Sequence, residues 1–205
     1  MSALICVYHL FLCSDGNLSI GTYVKDLPNG PGTAWYADGD IYAGEWKNDE
    51  FHGRGTLWSA NGSVQVGQWA AGEFTGFGLE YDAHDRPTAC KWKDGELMGL
   101  GVEWTSDRTT AFQVQVKKYK HYWERVKSGQ LGSDDVQALL LKLVGGKASK
   151  LQEHFGILPP PRKPTPPAKP SLEDAIAQVR EHCVTVTTEV PPSSDDVRAV
   201  GELLA

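Results

Sequence analysis

Cysteine and histidine are scarce in this chain of 205 residues, which contains four of the first and six of the second. The cysteines are spread over the chain at Cys6, Cys13, Cys90 and Cys183. Because no C-x-x-C pair occurs, neither a dense disulfide framework nor a zinc site is indicated. The histidines also lie far apart, without the spacing of metal ligands. We therefore expect no metal and no cofactor.

The sequence also lacks the short signatures of common enzymes. It has no glycine-rich phosphate-binding loop, no H-E-x-x-H motif and no G-x-S-x-G motif. The Gly-x-Gly pairs that do occur lack the third glycine of a dinucleotide-binding loop. We expect no catalytic residues and predict that the protein is not an enzyme.

Long apolar runs are missing as well. The run from Ala3 to Cys13 has eleven residues, is interrupted by His9 and is too short to span a bilayer. It lacks the positively charged start and the small-residue cleavage site of a signal peptide, so we expect the mature chain to begin near Met1. These absences favour a soluble, cytoplasmic protein.

Positive charge is not in excess. The chain has 20 Lys and Arg against 26 Asp and Glu, a formal net charge of −6. Residues 16–107 carry 14 acids against 6 bases, whereas residues 108–170 carry 12 bases against 4 acids. A nucleic-acid-binding domain concentrates Lys and Arg on its folded face, so nucleic acid is not an expected partner.

An internal repeat dominates what the sequence does contain. A Gly-x-Gly pair recurs at an interval of 23 residues, at Gly30/Gly32, Gly53/Gly55, Gly76/Gly78 and Gly99/Gly101. Two aromatic columns keep the same phase: the first is Tyr23, Trp46, Trp69 and Trp92, and the second is Trp35, Trp58, Tyr81 and Trp104. A turn glycine recurs at Gly16, Gly39 and Gly62, and Asp85 takes its place in the fourth copy. Columns that stay in register over four copies identify a repeat protein.

Each copy predicts one β-hairpin. In the second copy Tyr42, Gly44 and Trp46 alternate onto one face of a strand. A polar turn over 47–52 follows, and residues 53–58 form the return strand. Burying a large aromatic side chain removes about 150 to 250 Å² from water, which outweighs the local cost of a strand glycine. We therefore expect the glycines to leave room for rings from neighbouring strands, and most tryptophans to serve packing.

This pattern resembles the MORN (membrane occupation and recognition nexus) repeat family. The second copy is the best match, with Y-A-G-E-W over 42–46, G-R-G over 53–55 and the preceding turn at Asp38-Gly39. The resemblance covers residues 16–107 and implies a single-layer antiparallel meander of about four hairpins. Degenerate half-repeats flank it, one within residues 1–15 and one at 110–116. The sequence therefore predicts a mainly β protein of about ten strands with open ends.

Helices are expected after the sheet. Residues 108–158 predict a capping strand and amphipathic helices: one over 117–127 with an aromatic, basic stripe, one after Ser133 and one around Leu151. Whether the helix over 117–127 fills the groove of the acidic sheet stays open at this point. A helical tail over 171–205 begins at a serine cap and is too short to fold alone.

The segment from Pro159 to Pro170 contains seven of the chain's 12 prolines. It predicts a stiff polyproline II linker between the helices. Pro164, Pro167 and Lys169 form a P-x-x-P-x-K arrangement of the kind that docks in aromatic grooves. A spacer is the simpler interpretation, and a peptide ligand is the alternative.

The resemblance implies a non-catalytic scaffold or adaptor for protein–protein interaction in a cytoskeletal, ciliary or cortical assembly. The candidate contact residues are aromatic side chains of the sheet's groove: Tyr42, Trp46, Phe51, Trp58, Trp69, Phe74, Tyr81 and Trp104. Three alternatives stay open. They are a lipid-associated module, which the acidic sheet disfavours, a regulatory subunit that acts in trans on an enzyme, and a homodimer paired through an open sheet end or the tail.

Overall fold

The protein is built around one open antiparallel sheet. The computed structural model describes residues 7–118, 123–155 and 159–186. In that part of the chain eleven strands follow one another in sequence order, each hydrogen-bonded to its neighbours. The strands are β1 Val7–Leu12, β2 Leu18–Val24, β3 Leu27–Trp35, β4 Ile41–Lys47, β5 Glu50–Trp58, β6 Val64–Ala70, β7 Glu73–Tyr81, β8 Pro87–Lys93, β9 Glu96–Trp104, β10 Ala111–Lys118 and β11 Trp123–Leu131. The meander predicted from the repeat is confirmed.

Four tight turns close the hairpins of the repeats. Their central residues are 25 and 26, 48 and 49, 71 and 72, and 94 and 95, and all eight have positive φ. Two successive residues of positive φ are typical of the type I′ turn, whose twist matches that of the paired strands. Asn, Asp and Gly tolerate this conformation best, so the polar residues of these turns serve the fold before any function.

A row of small residues crosses the sheet, because the glycines of successive strands lie opposite one another. The row consists of Gly21, Gly32, Gly44, Gly55, Gly67, Gly78, Cys90 and Gly101. A Cβ at Gly55 would collide with the ring of Tyr42. The hydroxyl group of Tyr42 extends over this row and donates to the carbonyl oxygen of Glu45 at 2.9 Å. The row therefore leaves the space that the ring occupies, as the sequence predicts.

The third copy fills the same space from a different strand. It has Gln65 where the second copy has Tyr42. Here the ring of Phe74 lies over the row, so close to Gly78 that a Cβ at that position would collide with it. A departure from the repeat pattern on one strand is thus compensated by a phenylalanine on the next.

The sheet has two different faces. The glycine face carries the glycine row, and Tyr42, Trp46 and Trp69 form part of a buried cluster there. The helix face carries Tyr81 and Trp104 in a second cluster, which includes residues of the helices. Because successive side chains of a strand point to opposite faces, the two aromatic columns of the sequence lie on opposite sides of the sheet.

Helices α1 (Ser133–Leu143) and α2 (Ala148–Phe155) pack on the helix face near its C-terminal strands. Leu140 of α1 and Leu151 of α2 are buried in one cluster with Val102 and Trp104. The carbonyl oxygen of Leu140 accepts from the backbone N–H of Val144, after which two glycines of positive φ end the helix. The helices predicted after Ser133 and around Leu151 are confirmed.

Helix α3 (Leu172–Val186) packs on the opposite end of the helix face, against β1. Ala175 and Val179 are buried there in a cluster with Leu18 and Ile20. The hydroxyl oxygen of Ser171 accepts a hydrogen bond from the backbone N–H of Asp174 at 3.1 Å, which caps the helix. The predicted serine cap is confirmed, and the described part of the tail packs against the sheet.

The helix predicted over 117–127 is wrong. Strand β10 extends to Lys118, β11 begins at Trp123, and the two pair antiparallel with Val114 opposite Lys127. A stretch this short fits both the helical and the strand period, and pairing with β10 satisfies backbone groups that a helix would satisfy internally. The sheet therefore has eleven strands instead of about ten. Residues 119–122 and the part of the predicted helical tail beyond residue 186 lie outside the described residues.

Candidate functional site

The aromatic residues of the glycine face form one interlocked cluster. The rings of Tyr42 and Phe51 stack with centroids 3.8 Å apart, and Trp46 and Trp69 meet this stack edge-on. Phe74 extends the cluster, with its centroid 5.0 Å from that of Trp69. All of them are buried except Phe51, which is half-buried. The cluster joins neighbouring repeats, because its rings come from four different strands.

Two indoles of this cluster are bonded to the glycine row. Trp46 Nε1 donates to the carbonyl oxygen of Gly32 at 3.3 Å, and Trp69 Nε1 donates to that of Gly55 at 3.2 Å. Trp92 is the next member of the column, and its buried Nε1 has no hydrogen-bond partner in the described part of the chain. The column thus serves packing in its middle members and carries a local energetic cost in its last one.

A cavity of about 320 Å³ opens on the glycine face at its N-terminal end. Its aromatic lining comes from Phe11, Tyr23, Tyr36 and Trp46. Phe11 is 52% exposed, and Leu27, which also lines the cavity, is 42% exposed. A concave and mostly apolar surface with a few polar groups is typical of binding sites.

Acidic side chains stand beside this cavity. Asp26 and Asp49 line it from two hairpin turns, at equivalent positions one repeat apart. Burial, and then the negative charge of Asp49, raises the pKa of Tyr36 to about 12. Burial also raises the pKa of Tyr23, and Asp49 contributes to that shift as well. Both phenols stay neutral at ordinary pH, and the cavity presents a negative potential that favours a cationic group.

The second aromatic column lies on the helix face. Tyr81 and Trp104 are buried in the cluster formed with α1 and α2, and Trp58 packs against that cluster. Trp35 is buried at the other end, in the cluster formed with α3. Residues 159–170, which we call the proline segment, connect α2 to α3 and contact this column between them.

The proline segment is bound to two indoles of the column. Trp58 Nε1 donates to the carbonyl oxygen of Pro164 at 2.8 Å, and Trp35 Nε1 donates to that of Pro167 at 3.1 Å. Lys169 Nζ donates to a carbonyl oxygen in the loop between β1 and β2 at 2.8 Å. The residues of the P-x-x-P-x-K arrangement therefore contact the sheet of their own chain, and the segment does more than separate two helices.

Two charged residues hold the start of the proline segment. Asp85 and Arg108 occupy the turn position that is glycine in earlier copies, with φ of 61° and 63°. Arg108 donates to the carbonyl oxygens of Pro160 and Pro161, at 3.2 and 2.8 Å. Asp85 accepts from the backbone N–H of Lys163 at 2.9 Å. The interruption of the glycine column is thus an anchor for another part of the chain.

The charge of Asp85 is well supported. Burial disfavours it, but hydrogen bonds from three basic residues, led by Arg108, outweigh burial and hold the pKa of Asp85 below its usual range. The side chains of Arg108 and Asp85 are only 10% and 20% exposed. An ion pair so shielded from water depends on its hydrogen bonds, and removal of one partner leaves the other charge without compensation.

The structure divides the predicted contact residues between the two faces. On the glycine face lie Tyr42, Trp46, Phe51, Trp69 and Phe74. On the helix face lie Trp58, Tyr81 and Trp104. They do not share one surface, and all but Phe51 and Trp58 are buried. Their part in binding a partner stays a prediction.

Several residues of the two faces were not predicted from the sequence. Phe11, Tyr36, Asp26 and Asp49 meet only because the sheet brings separate strands and turns together. Asp85 could have been recognised as a special position from the sequence, since it interrupts a column of glycines.

Within residues 7–118, 123–155 and 159–186, no group of three or more His, Cys, Asp or Glu side chains is placed to bind a metal ion. Over the same ranges, no helix is long and apolar enough to cross a bilayer.

The open antiparallel sheet and the aromatic contacts between its hairpins define the class of protein. It is an open solenoid of β-hairpins in which neighbouring repeats contact each other through aromatic rings. The family model of the MORN repeat matches the chain four times, at residues 20–41, 42–64, 66–83 and 91–110. Each match begins on one of the even-numbered strands from β2 to β8. Residues 20–110 therefore contain four MORN repeats. A comparison with curated proteins gave no match.

Proposed function

We propose that this protein is a non-catalytic scaffold that binds a protein partner through the glycine face. The observation that carries the proposal is the cavity at the N-terminal end of that face, where aromatic side chains lie beside Asp26 and Asp49. The interlocked rings next to the cavity give it a rigid floor, and rigid sites lose less entropy on binding.

The partner is a basic and partly apolar segment of another protein. An apolar side chain of that segment enters the cavity and contacts Phe11 and Leu27, whose exposed area is then removed from water. A neighbouring Lys or Arg pairs with Asp26 or Asp49. Complementary charge of this kind speeds association and selects the partner more than it adds affinity.

The proposed cellular location follows from the known roles of MORN-repeat proteins. MORN-repeat proteins often serve as assembly and tethering parts, so the proposal places this chain in the cytoplasm, at a cytoskeletal, ciliary or cortical structure. The aromatic residues Tyr42, Trp46, Phe51, Trp69 and Phe74 then support the cavity from within and hold its shape.

The test removes charge and keeps the fold. Asp26→Asn and Asp49→Asn are combined in the full chain, because asparagine tolerates the positive φ of these positions. The wild-type chain and the double variant are used to capture proteins from an extract of the organism's own cells, which are compared by quantitative mass spectrometry. We expect the variant to lose a basic partner by about three- to tenfold, as two partly exposed ion pairs allow.

Asp94→Asn is the matched control. Asp94 lies in a hairpin turn of the fourth copy with φ of 51°, and Asn48 holds the corresponding place in the second copy. Equal losses from both variants, or no loss from the double variant, would contradict the proposal. Flotation with phosphoinositide vesicles at low salt separates the lipid alternative, since vesicle binding without protein capture indicates a lipid module.

A further inference from the structure

A second site lies on the opposite face of the sheet, and it does not depend on the function proposed above. We propose that the helix face carries a recognition site for polyproline II segments, built from Trp35, Trp58 and the Asp85–Arg108 pair. Its ligand is a basic proline-rich segment of another protein. The proline segment of the chain itself occupies this site.

The period of the sheet matches the period of a polyproline II helix. Trp35 and Trp58 lie one hairpin apart, which is two strand spacings or about 9.6 Å. Pro164 and Pro167, the residues they bind, lie three residues apart, which is one turn of polyproline II or about 9.3 Å. Each hairpin therefore binds one turn of the ligand.

The indoles recognise the backbone of the ligand. Both hydrogen bonds run from an indole Nε1 to a proline carbonyl oxygen, at 2.8 and 3.1 Å. A polyproline II helix makes no internal hydrogen bonds, so its carbonyl groups need donors from outside. Aromatic grooves that bind proline-rich peptides exploit the same preformed helix. The site therefore accepts segments in the polyproline II conformation, whose carbonyl groups recur at this spacing whatever side chains stand between them.

Charge fixes the direction in which a ligand lies. Lys163 donates through its backbone N–H to Asp85 at 2.9 Å and through Nζ to the carbonyl oxygen of Gly62 at 2.8 Å. Arg162 adds an ion pair with Asp85 at 3.1 Å. The residue that donates to Asp85 cannot be proline, because proline has no N–H. The ligand class is thus a basic pair followed by P-x-x-P.

The proline segment lies on the sheet with one side in solvent. Its exposed residues are Pro159, Pro161, Arg162, Thr165, Pro166, Ala168 and Lys169. Pro164 and Pro167 are half-buried, and Pro160 is the one fully buried residue of the segment. A segment held by hydrogen bonds along one side exchanges with another of the same chemistry more readily than a core element does.

The tether gives the resident segment an advantage. A tethered ligand holds its site at an effective concentration on the order of millimolar. A separate peptide of equal intrinsic affinity therefore binds the wild-type chain weakly and binds better once the resident is loosened. Arg162→Glu combined with Lys163→Glu loosens it, since one acid then faces Asp85 and the other faces the carbonyl oxygen of Gly62.

The test is a binding titration on the full chain. A fluorescein-labelled peptide with the sequence of residues 159–170 is titrated with the wild-type chain and with the Arg162→Glu, Lys163→Glu variant, and anisotropy is recorded. We expect the variant to bind the peptide about tenfold more tightly. Trp58→Phe, added to this variant, removes a donor and keeps a ring, and should weaken binding about three- to tenfold.

Trp69→Phe in the same background is the matched control. Trp69 makes the same kind of hydrogen bond on the glycine face, to the carbonyl oxygen of Gly55, so its loss should leave peptide affinity unchanged. Circular dichroism and thermal unfolding establish that each variant is folded. A peptide with glycine in place of its prolines at 164, 166 and 167 should bind at least about tenfold more weakly, because its conformation is no longer preset.

Three outcomes would overturn the proposal. One is a folded Arg162→Glu, Lys163→Glu variant that does not bind the peptide at millimolar concentration. Another is equal weakening by Trp58→Phe and Trp69→Phe. The third is a dimer, detected by light scattering, in which two copies exchange their proline segments, because the ligand is then a second copy. None of these outcomes changes the capture experiment on Asp26 and Asp49, which concerns the glycine face.

Discussion

Asp85 and Arg108 form an ion pair at 2.8 Å between two turns that lie one repeat apart. Both residues have positive φ, at a turn position where Gly39 and Gly62 stand in earlier copies. The left-handed conformation costs an ordinary residue roughly 1 to 2 kcal/mol. The repeat gives up its turn glycine at the two positions whose side chains contact the start of the proline segment. The backbone strain of the positive φ is thus located at the two turns that bind the proline segment.

Asp85→Asn should destabilise the protein in a pH-dependent way. Asparagine keeps the size of the side chain and tolerates the φ of 61°. The pKa of Asp85 in the folded protein lies below the ordinary value of 3.8, so its charge stabilises the fold fully above that value. This contribution is lost as the pH falls through the folded-state pKa. Melting temperatures of wild type and variant should differ at pH 7 and converge as the pH falls through the folded-state pKa of Asp85.

The control for this experiment is Asp82→Asn. The pKa of Asp82 is also lowered, because hydrogen bonds from Arg86 outweigh its burial. This variant should show a similar pH dependence without exposing the indole of Trp58 to hydrogen exchange, which Asp85→Asn should do. A difference between wild type and Asp85→Asn that stays constant at all pH values would contradict the assigned role of the charge.

Gly55→Ala should lower the free energy of unfolding by roughly 1 to 3 kcal/mol. Its Cβ would fall on the ring of Tyr42, and overpacking of a tight site has about this cost. Gly132→Ala is the control, since a Cβ there would meet Asp135 Oδ2 at 3.5 Å, an ordinary contact. Urea unfolding followed by tryptophan fluorescence measures both variants. Equal stabilities would mean that the glycine row is not needed to seat the ring.

Trp69→Phe and Trp92→Phe should have unequal effects although the two positions are equivalent in the repeat. Trp69→Phe removes the hydrogen bond to Gly55, worth about 0.5 to 1.5 kcal/mol, as well as ring area. Trp92→Phe removes a buried N–H without a partner in the described residues, which relieves about 1 to 3 kcal/mol and offsets the smaller ring. Urea unfolding should show the larger loss for Trp69→Phe. The reverse order would indicate that Trp92 has an acceptor in solution.

Ala175→Leu should release α3 and leave the sheet intact. Ala175 is 0% exposed in its cluster with Leu18 and Ile20, so a larger side chain finds no space there. Hydrogen exchange should increase over residues 172–182 and stay unchanged in the central strands. Leu172→Ala, at a position 45% exposed, is the control and should change neither. A loss of protection throughout the sheet would show instead that the helix is needed for the whole fold.

Much of the sheet was predictable because one pattern of glycines and aromatic residues is repeated four times. The Gly-x-Gly pairs and the aromatic columns recur every 23 residues, and rings lie over the glycine row in the second and third copies. Strand β11 has no such copy: its spacing fits two periods, and only its pairing with β10 decides between them. Because the pattern of β11 occurs only once, the sequence alone does not decide between helix and strand there, and tertiary contacts do.

The division of the aromatic columns between two faces was also present in the sequence. Gly44 and Trp46 are two residues apart and share a face, whereas Gly55 and Trp58 are three apart and do not. The cavity had no such signal. Its lining residues come from strands β1 to β4 and from the turns that follow them, and only the folded sheet brings them together.

The width of one hairpin and the length of one polyproline II turn agree, and this agreement links the length of the sheet to the length of the proline segment. Duplication of one 23-residue copy would lengthen the sheet by about 9.6 Å. The connection from α2 to α3 would then need three more residues, about 9.3 Å of polyproline II, to meet its anchors. A change in the length of the sheet therefore requires an equal change in the length of the proline segment. Lineages that gain or lose a repeat must therefore gain or lose one proline turn, or give up the docking of α3.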